Sequence, residues 1–179
     1  MKSISEVMEF CRAEHESPSQ DWEGYCLKFT RTAFGVGPLR LDAASAWAEA
    51  DLRHNISSGV DVPRGAPVFW LGGSRGHGHV AVSAGAGLCW STDWGGAGRV
   101  NLAQIDAITS QWNLDLVGWT EDINEVRVWQ PKTARRTPRM DLLVEQARRA
   151  RKTTNPSNAA KIQDLDKIIR LARRWSVAY

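Results

Sequence analysis

One cysteine and one histidine are the residues of this 179-residue chain whose types and surroundings suggest chemistry. Cys26 stands at the start of a predicted helix, and His79 opens a predicted strand later in the chain. A thiol is a weak nucleophile until it loses its proton, and both a helix N-terminus and a nearby imidazole favour the thiolate. A lone cysteine is more often a buried core residue. Together, the two residues predict a cysteine peptidase or amidase.

The elements that must position Cys26 are helices. Ser3 and Glu6 fit a capping box at the start of a first helix, which is predicted to end near residues 15–18. A second helix is predicted over 26–34, and a third over 43–51. Residues 54–59 have the composition of a turn.

The elements that must position His79 are strands, because the apolar period changes to two beyond residue 66. The pattern predicts strands over 67–71, 79–84, 88–93, 116–120 and 126–129, a short extended segment over 100–102 and a short helix over 105–112. Three helices followed by antiparallel strands predict an α+β fold.

The hairpin formed by the strands 79–84 and 88–93 gives His79 a neighbour. A turn centred on Ala86 places Asp93 opposite His79 on one face and mainly apolar pairs on the other. A carboxylate there would fix the imidazole tautomer and stabilise the imidazolium. Ser91 is the alternative orienting residue if the register slips, and Asp93 as a plain turn residue also stays open.

The chemistry that follows is acyl transfer. The Cys26 thiolate attacks an amide carbonyl, and His79 protonates the leaving amine and later activates water. The backbone N–H of Cys26, at the helix start, is the expected oxyanion donor, and Tyr25 is a weaker candidate for a second one. His77, in a glycine-rich loop, and Trp94 are candidates for lining the cleft.

Three segments resemble one family in their order and spacing. They are Gly-Tyr-Cys-Leu-Lys-Phe-Thr-Arg (24–31), Pro-Arg-Gly-Ala-Pro-Val-Phe-Trp (63–70) and Gly-His-Val-Ala-Val (78–82). Together they resemble the CHAP group of papain-like amidohydrolases and peptidases, and they are similar to the related NlpC-type wall peptidases. Residues 88–93 and 117–122 also resemble members from bacteriophages of actinobacterial hosts. Ala66 stands where the family usually has an aspartate.

The resemblance implies a papain-like core of N-terminal helices packed on an antiparallel sheet. In the family, the third catalytic residue follows at the end of the next strand, and this position matches Asp93. The implied substrate is a peptidoglycan amide, cut by an N-acetylmuramoyl-alanine amidase or a stem-peptide endopeptidase. No cofactor is expected. No metal is expected either, because Asp21 and Glu23 are too few acidic residues for a calcium loop and the cysteines lack metal-ligand spacing.

The charge is divided unevenly along the chain. Residues 1–129 hold 10 Lys and Arg against 16 Asp and Glu, whereas residues 130–179 hold 13 against 4. We therefore predict a hydrolase domain over 1–129, a basic linker over 130–139 and a basic two-helix hairpin over 140–179. The tail either is merely solvated or binds anionic wall polymer, a membrane surface or a virion protein. No readout motif supports nucleic acid as a partner.

The place of action follows from the same patterns. No apolar run reaches the ~18 residues of a membrane span, and the N-terminal segment lacks the apolar run of a signal peptide. The odd number of cysteines indicates a reduced protein. We expect synthesis in a host cytoplasm, and action at the bacterial wall after release as a lysin or within a phage particle. Two alternatives are a non-enzymatic virion structural or adaptor protein with this fold, and an intracellular cysteine protease.

Overall fold

The computed structural model describes residues 2–130, 145–147, 149–151 and 161–166. The chain divides into two compact units, 1–130 and 131–179. In the second unit the described residues are helical, and Arg151 Nε lies 2.7 Å from Asp166 Oδ1. Apart from Gln130, the predicted linker over 130–139 lies outside the described residues, and so does most of the predicted hairpin over 140–179.

The first unit combines helices with an antiparallel sheet, so its fold is α+β, as predicted. Its helices are α1 (Ile4–Glu16), α2 (Cys26–Phe34), α3 (Ala43–Ala48) and α4 (Ile105–Trp112), with a 3-10 turn over Gly59–Asp61. Its strands are β1 (Arg53–Asn55), β2 (Pro67–Gly72), β3 (His79–Gly85), β4 (Leu88–Thr92), β5 (Val100–Gln104), β6 (Leu114–Thr120), β7 (Asp122–Ile123) and β8 (Val126–Arg127). Six strands form one sheet in the order β1-β6-β2-β3-β4-β5, and β7 pairs with β8.

The sheet separates two apolar clusters because side chains alternate between its faces. On one face, Val80 and Phe69 pack in a cluster with residues of α1, α2 and α3. On the other face, Ala81 and Trp70 pack in a cluster with residues of α4, among them Ile105. A sheet that is apolar on both faces requires cover on both, and the helices supply it.

The first two helices begin where the sequence predicts. The capping box at α1 is present, with Ser3 Oγ accepting from the Glu6 amide and the Glu6 carboxylate accepting from the Ser3 amide. The predicted span 26–34 is confirmed for α2. In contrast, α3 ends at Ala48, short of the predicted Asp51.

The predicted turn over 54–59 is wrong at its start. Residues Arg53–Asn55 form the edge strand β1, which pairs with β6. The ring of His54 stacks on Trp119 with 3.8 Å between ring centroids, and its Nε2 lies 3.1 Å from Glu121 Oε1. A short polar edge strand has no apolar alternation, so only its tertiary partners reveal it.

The register of the β3–β4 hairpin agrees with a turn centred on Ala86 at the end nearer His79. Val82 is paired with Trp90, as that turn requires. The register shifts nearer the turn, where Gly85 instead of its neighbour is paired with Leu88.

The glycine before His79 offers a test of how tightly β3 is held. We expect Gly78→Ala to lower the free energy of unfolding by about 2 kcal/mol more than Gly76→Ala does. Both glycines have left-handed backbones, but a Cβ on Gly78 would lie 2.5 Å from the carbonyl oxygen of Trp70, whereas one on Gly76 meets nothing within 4 Å. Urea unfolding of the two variants measures the difference. Equal losses would show that Trp70 and Gly78 are not in close contact.

Candidate active site

A cleft with a volume of about 640 Å³ contains both residues that the sequence singles out. Cys26 and His79 both line it, together with Tyr25, His77 and Asp93. Cys26 is half-buried, whereas Cys11 and Cys89 are buried in the core, and all three are free thiols. Cys26 is therefore the cysteine that a ligand in the cleft can reach.

Helix α2 reaches this position by packing against the backbone of β3. Thr30 Oγ1 donates to the carbonyl oxygen of Val80 at 3.5 Å. One turn earlier in the helix, the backbone N–H of the same residue acts on the Cys26 thiol and favours a lower pKa, against the effect of burial. Because Val80 directly follows His79, this packing brings Cys26 to the end of the strand that carries His79.

The loop before α2 is anchored by a buried carboxylate. Glu14 Oε2 accepts from the backbone N–H of Ser19 at 2.9 Å and from Nε1 of the buried Trp22 at 2.8 Å. Burial raises the pKa of Glu14, but these hydrogen bonds outweigh it and the pKa is lowered overall. The carboxylate thereby fixes the chain that enters α2.

His79 is held by a serine on the neighbouring strand. Its Nε2 lies 2.9 Å from Ser91 Oγ, and that hydroxyl donates to the carbonyl oxygen of Thr92, also at 2.9 Å. Since the hydroxyl proton is used in this way, Oγ accepts from Nε2–H. The contact assigns the imidazole proton to Nε2 and leaves Nδ1 as the nitrogen that can accept one.

Aromatic rings enclose the imidazole and nearly exclude water from it. Trp112 meets His79 edge to face with 5.0 Å between ring centroids, and Trp70 lies at 5.6 Å. Trp94 packs on Trp112 at 5.7 Å between centroids, in the second apolar cluster, and is not among the residues that line the cleft. The sequence analysis missed Trp70 and Trp112, although pairing of β2 with β3 places Trp70 directly beside His79.

Asp93 makes different contacts from the predicted ones. Its Oδ2 accepts from the Gly24 amide at 3.1 Å and its Oδ1 from the Gly98 amide at 2.9 Å. Strand β4 ends at Thr92, and Asp93 has a left-handed backbone with φ of 63°. The chain therefore leaves the sheet before Asp93, and the residue that contacts His79 is Ser91. Asp93 instead ties the loop after β4 to the loop that precedes Cys26.

The pKa shifts of Cys26 and His79 disfavour the thiolate that the sequence predicts. Burial raises the pKa of the Cys26 thiol from 9.0 to about 11, with the Val80 amide acting in the other direction. Burial lowers the pKa of His79 from 6.5 to about 3. Among the described residues no hydrogen bond joins Cys26 to His79. At neutral pH the free site therefore holds a thiol and a neutral imidazole.

The two remaining candidates lie at the rim of the cleft. Tyr25 is 54% exposed, and Lys28 Nζ lies 5.2 Å from the centre of its ring. Nδ1 of His77 donates to Asp42 Oδ2 at 2.9 Å. Hydrogen bonds from Ser45, and then from His77, lower the pKa of Asp42 to about 2. His77 therefore attaches the glycine-rich loop to the start of α3.

The arrangement can support acyl transfer. Such a reaction uses a thiol at a helix N-terminus, an imidazole with one assigned proton and a backbone N–H such as that of Cys26. The part of the chain that the structure describes contains no cluster of His, Cys, Asp and Glu suited to a metal ion. Within the same residues, no helix is long and apolar enough to cross a membrane.

Comparison with protein-family models, with curated proteins and with solved structures gives no match to this chain.

The role of Ser91 can be tested through the imidazole proton. We expect Ser91→Ala to move part of the His79 population to the Nδ1–H tautomer, because Nε2–H loses its acceptor. Nitrogen-15 chemical shifts of His79 report the tautomer directly. Ser83→Ala is the matched control. Like Ser91, Ser83 is a buried serine of the sheet, but it lies in β3 and contacts Val62 and Gly85. An unchanged tautomer in Ser91→Ala would show that Ser91 does not determine which nitrogen of His79 carries the proton.

The burial of His79 predicts a pH dependence of stability. With a pKa of about 3 when folded and 6.5 when unfolded, the unfolded chain binds the extra proton between these values. The contribution of His79 to the free energy of unfolding is therefore full above pH 6.5 and is lost as the pH falls toward 3. We expect His79→Leu to flatten this part of the stability profile in urea unfolding from pH 7 to pH 4. An identical slope in both proteins would contradict the burial of a neutral imidazole.

Proposed function

We propose that the first unit is a cysteine amidase or peptidase with a papain-like core, and that its substrate is bacterial peptidoglycan. The observation that carries the proposal is the cleft, in which α2 presents Cys26 beside the end of β3 that bears His79. The Ser91 contact supports it, because it leaves Nδ1 of His79 free to accept a proton. The cell-wall substrate comes from the resemblance of residues 24–31, 63–70 and 78–82 to the CHAP group.

The first half of the reaction uses His79 as a base. The thiol proton of Cys26 passes to Nδ1 of His79 as the sulfur forms a bond to the carbonyl carbon. The negative charge that develops on the carbonyl oxygen is stabilised by the backbone N–H of Cys26, which the helix leaves without an intrahelical acceptor. Because both groups are neutral at rest, the proton moves during attack, when the new bond lowers the proton affinity of the sulfur.

The second half returns the proton. The imidazolium of His79 donates to the amine nitrogen as the C–N bond breaks, which releases the amine and leaves a thioester on Cys26. His79 then takes a proton from water, the hydroxide adds to the thioester carbon, and the C–S bond breaks. The sulfur regains its proton from His79, and the acid product leaves.

The biological setting is proposed from the sequence patterns. The protein acts at the wall of a bacterial host, either as a phage lysin after release from the cytoplasm or as an enzyme within the virion. The basic segment beyond residue 130 adds attraction to an anionic wall polymer, a membrane surface or a virion protein.

One observation favours a second candidate, a non-enzymatic virion adaptor that keeps the fold. Cys26 and His79 share no hydrogen bond within the described residues, and burial raises the pKa of the thiol. A protein that had lost catalysis would tolerate such a resting state. A wall-digestion assay separates the two candidates.

We expect Cys26→Ala to lower the rate of release of soluble fragments from purified bacterial wall by roughly a thousandfold or more, because the acyl intermediate cannot form. Cys11→Ala is the matched control, since it makes the same substitution at a buried cysteine in the core beside α2 and leaves the cleft intact. Circular dichroism checks that both variants fold. Equal activity of Cys26→Ala and wild type would refute a cysteine mechanism.

A further inference from the structure

The cleft that contains Cys26 is basic, although the unit around it is acidic. Residues 1–129 hold 10 Lys and Arg against 16 Asp and Glu. Four of the basic residues line this cleft, namely Lys28, Arg31, Arg40 and Arg75. Such a concentration of cations in one concave site raises the local concentration of anionic ligands.

The acidic residues of the cleft form no ion pair with these cations. Asp42 is used by Ser45 and His77, and Asp93 accepts from two backbone amides. Arg40 is the exception among the cations, because it pairs with Glu125 outside the set of lining residues. The positive charge left in the cleft therefore comes from the other three basic residues.

Those three residues have no carboxylate partner among the residues that the structure describes. Lys28 Nζ donates to the amide oxygen of Gln20 at 2.7 Å, and Arg31 Nη1 donates to the carbonyl oxygen of Val36 at 3.4 Å. Arg75 lies exposed in the glycine-rich loop between β2 and β3. Both groups on α2 thus face the cleft with neutral oxygen partners, and their charges remain available to a ligand.

The placement of Lys28 on α2 is electrostatically unfavourable without an anion. Lys28 lies in the first turn of the helix, where the macrodipole repels a cation, and that turn contains no acidic residue. Arg31 follows at the i+3 position, so two like charges are neighbours on one helix face. An anionic ligand would relieve both repulsions at once.

From this arrangement we propose that the substrate is an acidic peptide, and that Lys28, Arg31 and Arg75 bind its carboxylate in the cleft beside Cys26. The inference rests on the proposed function and adds the charge of the substrate to it. Arg31 and Arg75 suit a carboxylate because a guanidinium can donate two parallel hydrogen bonds to it. At the rim, the exposed side chains of Tyr25 and Leu41 contact the apolar parts of the peptide.

The test uses two synthetic stem peptides that differ in one group, a glutamate α-carboxylate or its amide. Their dissociation constants are measured by nuclear magnetic resonance titration of Cys26→Ala, which cannot turn them over. We expect the carboxylate peptide to bind about tenfold more tightly in low salt. Added salt should weaken the binding of the carboxylate peptide and leave that of the amide peptide unchanged, because salt screens charges in an open cleft.

The charge variants locate the effect. We expect Arg31→Gln and Arg75→Gln, each made in the Cys26→Ala background, to reduce the preference for the carboxylate to about twofold. The Arg75 variant changes an exposed loop residue and leaves α2 intact. Arg64→Gln is the matched control, since it removes the same charge from an exposed residue that does not line the cleft. It should leave the tenfold preference unchanged.

Two results separate this inference from the proposed function. Equal affinity for both peptides, or no detectable binding of either, overturns the inference, even if the wild-type protein digests wall. A carboxylate preference that falls to about twofold in Arg31→Gln and Arg75→Gln supports the inference, even if the wild-type protein cleaves nothing. In that case the cleft is a binding site for acidic peptides and the proposed hydrolase activity is wrong.

Discussion

The contact between α2 and the backbone of Val80 is the interaction on which the candidate site depends. Thr30 donates to the carbonyl oxygen of Val80, and the Val80 amide acts on the Cys26 thiol, so one turn of helix contacts both backbone groups of one residue. Glu14 anchors the preceding loop, and Asp93 joins that loop to the end of β4. These bonds fix the position of the thiol relative to the sheet from three directions.

Burial of the imidazole is the second constraint, and it determines the resting charge of the site. Trp70 and Trp112 surround His79, and Ser91 is its hydrogen-bond partner. A neutral hydroxyl stabilises an imidazolium less than a carboxylate does, so nothing in this surrounding offsets desolvation. The pKa of His79 falls to about 3 while burial raises that of Cys26 to about 11. In the proposed mechanism, the proton therefore passes from Cys26 to His79 only as the sulfur attacks an electrophile in the cleft.

The sequence predicted well what depends on local pattern. The capping box at Ser3, the span of α2 and the pairing of Val82 with Trp90 all follow from spacing along the chain. The orienting residue could not be read in the same way. The register between β3 and β4 is as predicted at Val82 and Trp90. However, β4 ends one residue before the predicted end, and Asp93 turns out of the sheet.

Other features depend on contacts between distant segments. The edge strand at His54 has no apolar period, and it exists because β6 offers it unpaired backbone groups. The shift in the pKa of Cys26 likewise comes from burial in the assembled unit, which helix position alone does not reveal. A helix N-terminus favours a thiolate, but here desolvation is the larger effect.

The most direct measurement is the rate of alkylation of each cysteine by iodoacetamide between pH 6 and pH 9, followed by mass spectrometry in wild type and His79→Ala. If Cys26 and His79 form an acid–base pair, Cys26 reacts well ahead of the buried Cys11 and Cys89 and slows when His79 is removed. A Cys26 as inert as Cys11 and Cys89, or one whose rate is the same without His79, would contradict the pair.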